Sequence, residues 1–586
     1  MSQTQKLREQ ILSQNPTDEQ KNAIFAEELE FLLRASPGSG KTWTSCRRFI
    51  WRGANWDKAG GLALLSFTNV AVREFHDATI KVGRRELLSD PNYIGTFDSF
   101  VERFIITPFG HLVTSSAKRP RLHIAPRSRD WSDQRLHVWL ELNKGKKCKV
   151  PAWEIIPFRD NRVDAFRSTK EFGNKVLHFD RYNPVKEFFK LGFYTHAQRV
   201  YLACNILYER PHICRCISRR FPEIVVDEAQ DTNIWLLILL HLLRKEGTRV
   251  TLVGDPDQCI YEFSMADASS LSKLKTTWKI PEMPLNQSFR CNNNIAEAVK
   301  NISNNLAFVG CGPTVNESHR AFVLREETSQ FSKCITAFGR LLEQASIERS
   351  RSAILCRAHG QLESIRGEVN YTDLKGLTKE MAQAAFHRDV RKDYKRANQI
   401  VENNLREMTN EPGFWEVLDD APDSDTAHRI RLALWTFTKS SEGLPSVSEN
   451  GADWIEKLKR NITTLLMTLG ISNLPTMGHK IKKTGFSTQQ LILPLFEAQT
   501  LFPAIRQETI HQVKGESIDA VLMLGSAKFF NAVVKAVELN EDSEDRRLAY
   551  VAMTRARHTL LIGLPASHYD KHVSSWQKWG FNILSS

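Results

Sequence analysis

The sequence lacks any run long enough to cross a membrane as a helix. Its longest apolar stretch, Ile234 to Leu243, is interrupted by His241 and reaches only about half of the ~20 residues a span requires. A buried helix is expected there. The N-terminal MSQTQKLREQILSQ has no apolar core, so no secretory signal is expected. Cysteine is sparse, ten in 586 residues, with no CxxC pair. Cys214 and Cys216 lie close, but two thiols do not complete a metal or iron–sulfur site. Reduced thiols and a cytoplasmic location are the expectation. Repeats and low-complexity segments are missing as well, which excludes solenoid arrays.

What remains is a long chain of ordinary globular composition, 41% hydrophobic and 25% charged. Its length implies three or four units of normal domain size. The net charge of +13 suggests a polyanionic partner. The excess is uneven: between Lys118 and Lys149 ten Lys/Arg face only Asp130, Asp133 and Glu141. That stretch is either a solvated loop or a phosphate-tracking surface.

Residues 31–34 (FLLR) form a short apolar run leading into ASPGSGKT at 35–42, after which an amphipathic helical pattern begins. Strand, loop and helix in that order are the setting of a phosphate loop. Ala35, Ser36, Pro37, Gly38, Ser39 and Gly40 would wrap the phosphates. The two glycines let backbone N–H groups turn inward, and the new helix directs its positive end at the same anion. Lys41 supplies a point charge and Thr42 a hydroxyl for Mg²⁺. Downstream, EIVVDEAQD (223–231) delivers two acids at the carboxyl end of a β-forming run, where open α/β sheets keep their ligands. Asp227 is placed to hold Mg²⁺, and Glu228 to take a proton from an attacking water. Together the two motifs indicate ATP hydrolysis. Upstream, Thr17 and Gln20 read as the N-cap and third helical residue of a capping box. The Gln20 amide could alternatively face an adenine edge.

Further ordered segments are LALLSFTNVA (62–71), YIGTFDSF (93–100), VTLVGDPDQCIYEF (250–263), LNQSFR (285–290), TIHQVKGESIDAVLML (509–524) and EDRRLAYVAMTRARHTLLIG (544–563). With these, residues 15 to 565 resemble the UvrD/Rep/PcrA family of superfamily 1 helicases. The resemblance implies an α/β fold with two RecA-like P-loop motor domains, each carrying a mainly helical insertion. It assigns Gln258 to link the γ-phosphate with the nucleic-acid groove, Arg290 and Arg555 to reach that phosphate from the second motor domain, and Phe289 to stack on adenine. Phe67, Tyr261 and Phe263 match aromatics on which unpaired bases stack. Thr68, Asn69, Thr96, Thr509 and His511 match polar groups near the phosphodiester backbone. Departures from the family pattern are Trp43, Val70, Ser264 and Ser517, with Glu516 one place early for the usual acid.

The motifs divide the chain into a first motor domain (1–105 and 195–282), a basic insertion (106–194), a second motor domain (283–370 and 505–586) and a helical accessory insertion (371–504). Strands are expected at 31–34, 62–66, 223–226 and 250–254 in the first, and at 352–356, 520–524 and 559–563 in the second. The resemblance implies an ATP- and Mg²⁺-dependent motor tracking single-stranded or tailed duplex DNA, moving 3′→5′. A narrower similarity, in size and motif variants, to the small UvrD-like helicases of Gabija-type anti-phage systems implies an OLD-family nuclease partner. Two functions stay open: an autonomous helicase, in repair or anti-phage defence, and a DNA-sensing ATPase that regulates a nuclease.

Overall fold

The structure, a computed structural model, describes residues 2–114, 120–122, 137–141, 147–152, 155–160, 163–168, 184–260, 269–303, 305–314, 316–327, 331–357, 361–362, 377–389, 392–409, 414–415, 417–418, 424–471, 481 and 505–584. Two six-stranded sheets organise it. The first contains β1 (Leu32–Ala35), β2 (Leu62–Ser66), β3 (Tyr93–Thr96), β4 (Glu223–Val226), β5 (Arg249–Gly254) and β6 (Glu282–Leu285). The second contains β7 (Ala321–Glu326), β8 (Ser352–Cys356), β9 (Arg506–Thr509), β10 (Ile518–Leu524), β11 (Ala556–Pro565) and β12 (Asn582–Ile583). Every pairing in both is parallel.

The reason lies in the strand sequences. LALLS and IDAVLML are buried along their whole length, as expected of strands covered by helices on both faces. Side chains alternate between two cores: Ala63, Leu65, Ile224 and Val226 enter one, while Leu62, Leu64 and Val225 enter the other. In the second sheet Val521 and Met523 face one core and Ala520, Leu522 and Leu524 its opposite. The apolar run at 234–243 lies in the helix Ile234–Lys245, capped by Asn233, with six residues buried. Among the described residues no helix is long and apolar enough to cross a membrane.

Strand order positions the site. The first sheet runs β6-β1-β5-β4-β2-β3, so β1 and β4 flank β5. The loops leaving their carboxyl ends therefore converge over β5, while those after β2 and β3 open alongside. Two expectations need correction. The first sheet extends through Leu285, because Glu282–Leu285 pairs with β1; the crossing to the second sheet thus lies beyond residue 282. The 106–194 insertion is also not mainly helical among its described residues. It holds antiparallel pairs, His137–Glu141 with Lys147–Pro151 and Ile155–Asp160 with Val163–Ser168, whose sequences are rich in β-branched and aromatic residues. The 371–504 insertion is helical where described, with its own core around Trp454, Leu434 and Leu405. Most of the basic stretch after Arg121, including Trp131 and Trp153, falls outside the described residues.

One buried histidine gives the second lobe a pH dependence. His568 Nε2 accepts from Trp576 Nε1 at 3.0 Å, and Nδ1 lies 2.7 Å from Asn531 Oδ1. The neutral ring fits both contacts. Burial, helped by His572, pushes its pKa down to about 4. The unfolded ring protonates near its ordinary value and the folded one does not. Stability is therefore complete above about pH 6.5 and is lost as pH falls towards 4, at no more than about 1.4 kcal/mol per pH unit. Unfolding midpoints measured from pH 7.5 to 4.5 should decline, and this part of the slope should vanish in His568→Gln.

Candidate nucleotide and nucleic-acid site

The phosphate loop begins where β1 ends. Gly38 and Gly40 take φ of 71° and 79°, left-handed values that cost a glycine nothing, and the helix Lys41–Ala54 starts at once. The loop is tied down from both sides. Gln20 Nε2 donates to the Ser39 carbonyl at 3.0 Å, and the Phe289 N–H donates to the Gly38 carbonyl at 2.9 Å. The Gln20 carbonyl oxygen closes the capping box with Thr17. The Gln20 amide thus ties the capping box to the phosphate loop. Among the described residues the buried Ser39 hydroxyl has no hydrogen-bond partner; such an orphan on the loop suits a phosphate oxygen.

Across β5 stand the acids. Lys41 Nζ lies 3.1 Å from Glu228 Oε2, and Thr42 Oγ1 donates to Asp227 Oδ2 at 2.9 Å. Burial alone would lower the Lys41 pKa, but Glu228, Asp255 and Asp227 outweigh it and raise it. Burial and the adjacent Glu228 push Asp227 up. Burial would raise Glu228 too, yet the Lys41 and Lys514 ammonium groups hold it well below the usual carboxylate range. Glu228 also adopts a left-handed φ of 56°, an uncommon conformation for a non-glycine residue that clusters at working sites. Among the described residues no cluster of three or more His, Cys, Asp or Glu could hold a metal. Thr42 and Asp227 are the residues that would hold a Mg²⁺ ion, whose oxygen-rich coordination usually draws on few protein ligands.

The second lobe closes the ring. Arg555 is fully buried. It donates to the Val551 and Glu516 carbonyls at 3.0 and 3.3 Å and, across the cleft, to Gln258 Oε1 at 3.0 Å. Gln258 in turn donates to Asp255. Arg290 donates to Ser517 Oγ at 2.8 Å and to the Thr554 and Gly515 carbonyls. A Cβ at Gly38 would sit 2.4 Å from that of Arg290, so the arginine segment packs directly on the phosphate loop. Among the described residues neither guanidinium forms an ion pair with a carboxylate. Burial first, then the neighbouring Arg290, lowers the Arg555 pKa to about 9.

The nucleic-acid candidates divide. Phe67, Thr68 and Thr96 leave the carboxyl ends of β2 and β3, beside the acids. Phe67 is half-buried against Phe97, centroids 5.5 Å apart. Thr68 and Thr96 cap helices by accepting from Ala71 and Ser99 N–H groups, and Asn69 is exposed. Thr509 is buried and donates to Gln512, which turns its hydroxyl inward. His511 Nε2 lies 3.2 Å from the Ile260 carbonyl across the lobes. Phe289 is 49% exposed beside the phosphate loop. Tyr261, Phe263 and Ser264 lie outside the described residues. Of the departures, Trp43 carries the Arg47 guanidinium over its ring at 4.5 Å, Val70 is exposed, and Ser517 receives Arg290.

Several site residues carry no signal strong enough to single them out from sequence. Ser45 reaches Asp227 at 3.4 Å. Gln230 donates to Glu228 and accepts from the Asp255 N–H, joining the two acid loops. Lys514 spans the lobes to Asp231 at 2.5 Å, and Arg547 donates to the Cys259 carbonyl at 2.6 Å. Gln230, Lys514 and Arg547 lie within quoted motifs and Ser45 three residues beyond one, but their partners become visible only in the fold.

The comparisons agree with this geometry. The UvrD/REP helicase N-terminal domain matches residues 16–148 and 165–279, and the UvrD-like helicase C-terminal domain matches 487–566. DNA helicase II of Haemophilus influenzae is 24% identical, covering 94% of this chain and 84% of its own length. DNA helicase II of Escherichia coli is 23% identical, covering 93% and 84%. ATP-dependent DNA helicase Rep of Buchnera aphidicola is 20% identical, covering 93% and 94%. With both domains matched in order over more than half of its residues, the chain belongs to the UvrD/REP family of ATP-dependent DNA helicases.

Proposed function

We propose that the chain hydrolyses ATP in the cleft between its two sheets and uses the opening and closing of that cleft to step 3′→5′ along single-stranded DNA. The observation that carries the reading is Arg555: a buried cation with no carboxylate in ion-pair contact among the described residues, one hydrogen bond from the loop after β5. Burying an uncompensated charge is costly, and an anion placed between Arg555, Arg290 and Lys41 would offset the cost. Thr42 and Asp227 would hold Mg²⁺, which would neutralise charge on the phosphate oxygens. Glu228 would accept the proton of the attacking water, and Gln258 would relay the state of the cleft. Phe289 would cover the base. Residues 1–105 and 195–282 would act as one motor domain and 283–370 and 505–586 as the other, subject to the shift of the crossing beyond Leu285. The strand would lie over β2 and β3, against Phe67, Thr68, Asn69 and Thr96. Repair and anti-phage defence are both compatible with this chemistry.

Turnover should rise at least tenfold with single-stranded DNA, and a 3′-tailed duplex should be unwound while a 5′-tailed one is not. Stimulated hydrolysis without strand displacement would favour the sensing subunit with a nuclease partner. Turnover indifferent to DNA would remove both readings.

A further inference from the structure

The helical unit at 377–471 carries a feature unrelated to the nucleotide cleft. Helices Asp425–Lys439 and Gly451–Thr468 border a cavity of about 470 Å³. One wall is Arg429, Leu432, Ala433 and Thr436, spaced three, one and three residues apart along one helical face. The other includes Arg460, Asn461, Thr464 and Leu465. Asn461 ties down the intervening turn by donating to the Glu442 and Gly443 carbonyls at 2.6 and 2.8 Å. That bond places Arg460 at the turn end of the trough, whereas Arg429 begins the facing wall at the far end. The nine residues from Arg429 to Phe437 span about 12 Å, two helical turns. The floor is apolar, and Leu432 is 57% exposed on its lip. Arg429 and Arg460 are exposed, and their side chains make no hydrogen bond or ion pair among the described residues.

We propose that this trough docks a short amphipathic helix of a partner protein, with apolar residues on one face and carboxylates flanking them. The charge pattern selects the occupant. Two unpaired arginines at opposite ends of an apolar floor complement an acidic–apolar–acidic segment, and a helix laid into a groove buries such a stripe. A nucleic acid fits less well: its backbone asks for a row of cations, whereas Leu432, Ala433 and Leu465 line the middle and Glu442 adds a carboxylate. The inference does not depend on the helicase reading, since no residue of the cleft takes part.

The test is a selection of random twelve-residue displayed peptides on the full chain, followed by affinity measurement with the enriched peptides. Enriched sequences should carry apolar residues three or four apart between Asp or Glu. Binding should weaken at least tenfold in R429E/R460E and in L432D, and should fall with salt. Both variants should keep the melting temperature and the DNA-stimulated turnover of the parent. Peptides without that pattern, or equal binding to parent and variants, would overturn the proposal. So would displacement of the peptide by a 20-base-pair duplex whose own binding is lost in R429E/R460E, which would make the trough a nucleic-acid surface. A concentration-dependent dimer abolished by L432D would assign it to a second copy of this chain.

Discussion

Arg555→Ala is expected to lower turnover by on the order of 10³–10⁵, the range for an arginine that stabilises a transferring phosphoryl group. The geometry supports so large an effect. The guanidinium is held by three oxygens of its own lobe and by Gln258 of the other, so its position is fixed before any ligand arrives. Stability should respond very differently. Removing a buried cation that lacks a counter-ion relieves desolvation while sacrificing hydrogen bonds to carbonyls, and the two oppose each other. The melting temperature should therefore stay within a few degrees of the parent while kcat collapses and ATP binding changes modestly. Turnover within tenfold of the parent would show that Arg555 only braces the lobes.

Arg555 also marks the limit of what could be read from the chain. Lys41, Thr42, Asp227 and Glu228 are legible because one pair opens the helix after the phosphate loop and the other directly follows a strand, junctions whose purpose is local. That Arg555 is buried with no acid beside it is a fact of packing between elements about 300 residues apart, and no periodicity announces it. Gln230 and Lys514 are similar: the first looks like an ordinary polar residue after the acids, yet it joins the β4 and β5 loops. Gln20 runs the other way, since its capping-box spacing stated its structural role correctly from the sequence alone.

The sheets divide along the same line. Interior strands such as Leu62–Ser66 and Ile518–Leu524 are covered on both faces and read as apolar runs. Glu282–Leu285 and Arg506–Thr509 are edge strands, buried on fewer sides and polar in sequence, EMPL and RQET. Edge strands are often short or charged, and so they merge with loops in a sequence. Ala321–Glu326 has the apolar run of an interior strand and no motif to draw attention to it. In the 106–194 insertion, scattered Trp and Lys hid the β-pairs His137–Glu141 with Lys147–Pro151. Composition spoke there about charge and not about strands.

Glu228→Gln tests the other half of the cleft, and its expected loss of turnover is on the order of 10²–10⁴, the contribution of a general base. The change is nearly isosteric and leaves the Gln230 contact available, but an amide cannot accept the proton of an attacking water. In the parent, Lys41 is paired with Glu228 at 3.1 Å. The same ammonium is the nearest cation to the phosphate loop, so it cannot fully serve both. When Lys41 turns to an anion in the loop, the carboxylate is left facing the cleft, where a water would be polarised. The variant removes that competition: its Lys41 no longer pairs with a carboxylate at position 228. ATP affinity in Glu228→Gln should therefore equal or exceed that of the parent, and binding to single-stranded DNA should persist. Equilibrium binding of a fluorescent ATP analogue, set beside single-turnover hydrolysis, separates the two effects. Weakened binding together with retained hydrolysis would remove Glu228 from the chemistry and leave it as the partner of Lys41 alone.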